Sequence, residues 1–163
     1  MLFQISGNLK IFELIFGHIL DKNPANKVGS TPLHVAAKEG YVSICKMIMK
    51  EKKENPKDKE GETPLHGAAE NGHLDIYKLI IKNICGKSPK ECKDRTVNPR
   101  DNTGLSPLHL AAINGHIEIY KFIFQMVDQK EPQNKDRRTP VELAANSAHC
   151  SVETFNIMLA LGP

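Results

Sequence analysis

The chain has 163 residues, of which 40% are hydrophobic and 25% charged, values that exclude wholesale disorder and a collagen-like fibre. Lysine and arginine number 22 against 19 acidic residues, a net charge of +3, too mild to argue for nucleic acid without a clustered basic face. Four cysteines are too few for a disulfide scaffold, and the length suits one domain or one short repeat array.

The opening stretch, Met1 to Leu20, is the most apolar. Gln4, Asn8, Lys10, Glu13 and His18 interrupt it, and no positive charge precedes Lys10. A secretory signal needs a basic start and an unbroken apolar core, and a spanning helix needs about 20 mostly apolar residues. An amphipathic segment burying one face is the better reading. With no glycosylation acceptor and few cysteines, the sequence is expected to belong to a reducing intracellular compartment, cytoplasmic with the nucleus as the other option.

From Asn23 onward the chain repeats itself. Thr31-Pro32-Leu33-His34 returns as Thr63-Pro64-Leu65-His66, as Ser106-Pro107-Leu108-His109 and as Thr139-Pro140-Val141-Glu142, at intervals of 32, 43 and 33 residues. Upstream of the copies stand Asn23-Pro24, Asn55-Pro56, Asn98-Pro99 and Glu131-Pro132. Downstream stand Ala36-Ala37, Ala68-Ala69, Ala111-Ala112 and Ala144-Ala145. Gly29, Gly61 and Gly104 precede three copies, with Arg137 in the fourth; Gly40, Gly72 and Gly115 follow three, with Ala148 in the fourth.

Each unit reads physically as a helix pair. The Thr or Ser is an N-cap, and the proline sits at the first helical position, where its missing N–H costs nothing. Thr139-x-x-Glu142 is a capping box, with His34, His66 and His109 at the same third position in the other units. Paired alanines permit close helix approach, and the glycine ends the helix. A second helix follows in each unit, with an apolar stripe at Val42, Ile44, Met47 and Ile48, at Leu74, Ile76, Leu79 and Ile80, and at Ile117, Ile119, Phe122 and Ile123. Leu9, Ile11, Leu14 and Ile15 fit this register, so the apolar opening is the second helix of a broken first unit.

The period and the sequences TPLHVAA, TPLHGAA and SPLHLAA resemble the ankyrin-repeat family. The resemblance covers nearly the whole chain and implies an all-α solenoid of stacked helix pairs with β-hairpin-like turns. Its units are a partial repeat at 1–22, repeats at 23–54, 55–97 and 98–130, and a degenerate terminal repeat at 131–163. Repeat 55–97 carries about ten extra residues near 82–97, expected to lengthen the second helix or form a surface loop. Met1, Leu2, Phe3 and Ile5 make a poor polar cap, so the chain is expected to be a piece of a longer array or to fold those residues back.

No chemistry stands out. The repeated histidines are read as capping and packing groups. Cys85-x6-Cys92 has the wrong spacing for a zinc knuckle, His149-Cys150 lies two units away, and a local redox pair is the lesser alternative to a plain surface loop. Cys45 is expected to be partly buried filler. Gly86-Lys87-Ser88 lacks the earlier glycine and the preceding strand of a phosphate loop. No nucleophile elbow, HExxH or paired-carboxylate motif occurs. No enzyme, catalytic residue, metal, cofactor or small-molecule substrate is expected.

The family resemblance implies a concave face built from hairpin tips and first helices. On that face Leu105 and Ile113 fall where neighbouring units carry polar residues. They are expected to form an apolar anchor, ringed by Glu62, Glu70 and Arg138, with Thr103, Asn71 and Asn114 beside it. The expected function is binding of a protein partner on that face, as an interaction module or scaffold segment, as a monomer and away from membranes. The alternative is a nucleic-acid- or acidic-ligand-associated module using basic residues of 82–97 and Arg100; that run has no aromatic stacking platform.

Overall fold

The computed structural model describes residues 14, 16–18, 21–86, 92 and 94–162. Leu14 and residues 16–18 are helical. In chain order there follow α1 (Pro32–Lys38), α2 (Val42–Glu51), α3 (Pro64–Glu70), α4 (Leu74–Cys85), α5 (Asp94–Val97), α6 (Pro107–Ile113), α7 (Ile117–Met126), α8 (Pro140–Ala145) and α9 (Val152–Leu161). Among the described residues there is no strand. The expectations about Met1, Leu2, Phe3 and Ile5 lie outside the described residues.

The short helices start where capping chemistry dictates. Thr31, Thr63, Ser106 and Thr139 are extended residues followed by proline at the first helical position, and all four form a capping box with the residue three positions on. These helices stack in sequence, α1 on α3, α3 on α6 and α6 on α8. Their small faces make this possible: Ala36, Ala37, Ala68, Ala69, Ala111 and Ala112 are wholly buried. The alanines lose little side-chain entropy on burial and let the backbones approach.

The longer helices form the outer layer. Ile44 and Ile48 are buried as the stripe predicts, whereas Val42 and Met47 are only half-buried. The fully enclosed positions include their chain neighbours, Cys45 and Met49 in α2, Tyr77 and Ile81 in α4, and Tyr120 in α7. Cys45 is therefore core rather than partly buried filler. A helix gripped by a neighbour on each side buries a wider arc than a one-sided stripe reveals. Edge-to-face packing of Tyr77 on Phe122, centroids 6.1 Å apart, joins α4 to α7.

Phe124 near the end of α7 and Phe16 in the opening helical segment carry the same device. Lys130 Nζ donates to the Phe124 carbonyl and lies 4.9 Å over that ring's centroid. Lys22 makes the same bond to Phe16, with its ammonium again 4.9 Å above the ring. On Phe124, in the last turn of α7, the cation satisfies a helix-end carbonyl and complements the helix dipole.

The extra residues of the second full unit lengthen its second helix, and the loop expected after it falls largely outside the described residues. α4 runs to 12 residues against 10 in α2 and α7, and the chain returns through the four-residue α5.

Candidate functional site

The hairpins carry the face. In each, one Asn or Asp side chain organises the turn by accepting backbone N–H groups, as an Asx-turn does. Asn26 Oδ1 accepts from Val28 and Ser30, both at 3.0 Å. Asp101 Oδ1 accepts from Thr103 at 2.8 Å and Leu105 at 2.9 Å, and Asn134 Oδ1 from Asp136 at 3.0 Å and Arg138 at 2.9 Å. Successive hairpins are then stitched by backbone bonds: Lys59 N to Val28 O at 3.0 Å, Asn102 N to Glu60 O at 2.8 Å, and Lys135 N to Thr103 O at 3.0 Å.

The capping histidines reach across the same seam. The backbone N–H of Thr31, Thr63 and Ser106 donates to Nδ1 of His34, His66 and His109 at 3.1, 3.1 and 3.2 Å. That leaves Nε2 as the protonated nitrogen. It donates to the next unit's hairpin, His34 to Glu62 O at 3.2 Å, His66 to Leu105 O at 3.3 Å and His109 to Arg138 O at 3.3 Å. Burial holds all three imidazoles below their ordinary pKa, His66 and His109 at about 4, so they stay neutral and can play both roles at pH 7. The cap is legible in the sequence; the hold of the other ring nitrogen on the backbone of three candidate face residues is not.

The remaining predicted residues sort by what they touch. Thr103 spends its hydroxyl on Asp101 Oδ1 at 2.8 Å and is a turn former. Asn71 and Asn114 donate their side-chain amides to their own helices, at Gly67 O (3.0 Å) and Leu110 O (2.9 Å). Glu70 pairs with Lys38 at 3.2 Å in the open, and its carbonyl accepts from His116 Nε2 at 3.0 Å. The Glu62 carboxyl is raised above its ordinary pKa by partial burial and then by the nearby Asp58 and Glu70 carboxylates, with Lys38 opposing. Arg138 is exposed.

Leu105 and Ile113 are both half-buried. They bracket α6, one just before its cap and the other at its last residue, with about 9 Å of helix from Pro107 to Ile113 between them at 1.5 Å per residue. They stand at opposite ends of the helix rather than side by side. Leu110, also half-buried, lies three residues before Ile113 and therefore on the same side of α6. Its place inside the repeated signature hides it in the sequence.

The basic alternative fares differently residue by residue. Arg100 is turned onto the backbone: its guanidinium donates to the carbonyls of Gln133 and Gly104 and approaches Gln129 Oε1 at 3.5 Å, while its own carbonyl accepts from Lys57 Nζ at 2.7 Å. Arg95 and Lys82 are exposed, and Lys87, Lys90 and Lys93 lie outside the described residues. Lys57, Asp94, Arg95, Arg100, Gln129 and Pro132 line an open groove of about 630 Å³. Cys85 and Cys92, for which a local redox pair is the lesser expectation from sequence, are joined in a disulfide. Among the described residues, no cluster of three or more His, Cys, Asp or Glu could hold a metal ion, and no helix is long and apolar enough to cross a membrane.

A search of curated proteins finds no match. The family model for ankyrin repeats, built as three copies, matches residues 1–94 and 85–162. Ankyrin repeats are generally protein–protein interaction modules. Stacked helix pairs, proline-started caps and stitched hairpins agree with that match over almost the whole length, and the chain belongs to the ankyrin-repeat family.

Proposed function

We infer that this chain is a non-enzymatic interaction module that docks a protein partner on its hairpin and first-helix face, acting as a monomer without a cofactor. Leu105, Leu110 and Ile113 supply the apolar contacts, with Glu62, Glu70, Asn71, Thr103, Asn114 and Arg138 around them. One observation carries the reading: His34, His66 and His109 hold the backbone of Glu62, Leu105 and Arg138 from the preceding unit. A surface ordered before docking loses little entropy on binding, so a few half-buried apolar groups suffice. The division into repeats at 23–54, 55–97 and 98–130, flanked by 1–22 and 131–163, and an intracellular location belong to the same reading.

The test is capture of partners by the purified chain, compared with Leu105→Ser/Ile113→Ser. Circular dichroism is expected to be unchanged, and affinity for the captured partner to fall about thirtyfold, equivalent to ~2 kcal/mol. A folded double variant that binds as well as the parent overturns the assignment. A salt titration separates the alternative built on the basic groove: affinity lost by several decades between low and moderate salt favours an acidic or nucleic-acid ligand.

A further inference from the structure

The second full repeat carries a covalent feature absent from the described parts of its neighbours. Cys85, the last residue of α4, is bonded to Cys92, their Cα atoms 5.7 Å apart and only 7 positions apart in sequence. Both are half-buried, so a small reductant can reach the bond. The other thiols do not compete as thiolates. Burial pushes Cys45 up to about 12 and raises Cys150 above its ordinary value.

Two residues beyond Cys92, α5 begins. Four residues do not make a self-sustaining helix, so α5 exists because it is tethered. At its far end the buried Tyr77 hydroxyl donates to the Val97 carbonyl, and the Val97 side chain is in the core. At its near end the Asp94 carboxylate accepts the backbone N–H of Asp128 and of Gln129, each at 3.0 Å. Asp94 thereby fastens the returning chain to the segment that leaves the next repeat. The disulfide fixes the chain two residues before that carboxylate.

We propose that the Cys85–Cys92 pair is a redox latch: oxidised, it holds the start of α5 so that Asp94 clasps residues 128 and 129; reduced, α5 frays and the clasp opens. A thiolate of a dithiol reductant attacks one of the two sulfurs, the protein disulfide breaks and a mixed disulfide forms. The reductant's second thiol then closes its own ring and releases the remaining cysteine. Two electrons and two protons pass from the dithiol, which leaves as a cyclic disulfide, to Cys85 and Cys92, which become thiols. The latch stands independently of the partner-binding face, and its test uses no partner.

The test is hydrogen exchange read by mass spectrometry on the oxidised chain, with and without dithiothreitol, beside Cys85→Ser/Cys92→Ser. Alkylation of the denatured chain first counts the bond, with two of the four cysteines labelled before reduction and all four after it. Reduction is expected to speed exchange at 94–98 and at 128–129 by about tenfold or more, while α1 and α2 keep their protection. The double variant should exchange fast at the same amides in both conditions. Four labelled cysteines even after treatment with oxidised glutathione overturn the proposal. So does unchanged exchange at 94–98 and 128–129. A uniform rise across the whole chain on reduction overturns it as well, marking the bond as a general staple.

Discussion

Arg137 holds, at φ 61°, the hairpin position that Gly104 holds at φ 83° one unit earlier. Two constraints meet at Gly104. Its backbone is left-handed, and a Cβ there would lie 2.9 Å from the Lys135 backbone nitrogen of the next hairpin. Arg137 keeps the first constraint but has no later hairpin against it among the described residues. Arg137→Gly is therefore expected to stabilise the chain by ~1 kcal/mol, the cost of holding an ordinary residue left-handed. Gly104→Ala is expected to destabilise by more than that, since strain and a backbone clash add. Urea unfolding midpoints check both, and a neutral Gly104→Ala would contradict the packing argument.

The neutral histidines make stability depend on pH. His66 and His109 sit at about 4 in the fold, lowered first by burial, against an ordinary 6.5. The unfolded chain therefore binds their protons more readily. Their contribution is complete above pH 6.5 and is lost as pH falls towards 4. At pH 5.5 the loss is about 1.4 kcal/mol for each. Glu62 and Glu131, held above their ordinary values, act in the opposite sense at lower pH, and Glu62 is exposed enough for solvent to damp it. The melting temperature should drop between pH 7 and 5.5, and His66→Gln should flatten that slope. An equal slope in the variant contradicts the assignment.

Asparagines of the Asn-Pro pairs are expected to differ sharply in importance. Asn98 Oδ1 accepts the Leu108 N–H at 2.9 Å, and Asn23 Oδ1 accepts that of Leu33 at 3.0 Å, each satisfying a free N–H in the first turn of a helix. The Oδ1 of Asn55 is buried without a partner. Asn98→Ala should cost about 1–3 kcal/mol by stranding a buried donor, and Asn55→Ala less than 1 kcal/mol. Denaturant titrations of the two variants decide it.

Ser106→Ala tests the caps. The Ser106 hydroxyl is fully buried and lies 2.8 Å from His109 Nδ1. Its loss should cost about 1 kcal/mol. Affinity for a partner should weaken in the same variant, because His109 then holds the Arg138 carbonyl less firmly.

Much of the fold was legible because each local signal occurred three or four times. Thr31, Pro32 and His34 specify a helix start through neighbours in sequence, and the repeats of that triplet fixed the period. What crosses from one unit to the next was not legible. The reach of His66 to the Leu105 carbonyl and the full burial of Cys45 both depend on how closely adjacent pairs stack. The same holds for the candidate face: Leu105 and Ile113 stand out by composition, yet their placement at opposite ends of α6 follows from where the helix begins and ends. Cys85 and Cys92 meet because α4 ends at Cys85 and the chain turns back to α5, a geometry that residue spacing does not encode.

The account rests on hairpin tips stitched into one rigid edge. Amide exchange at Lys59, Asn102 and Lys135, resolved by NMR, tests this most directly. These N–H groups sit on exposed turns, yet each donates to the preceding hairpin at 2.8–3.0 Å. The predicted result is exchange slowed by about a hundredfold or more relative to the tip amides of Lys27 and Glu60. Exchange at free-loop rates at all three would mean that the hairpins move independently, and a pre-ordered docking face would not exist.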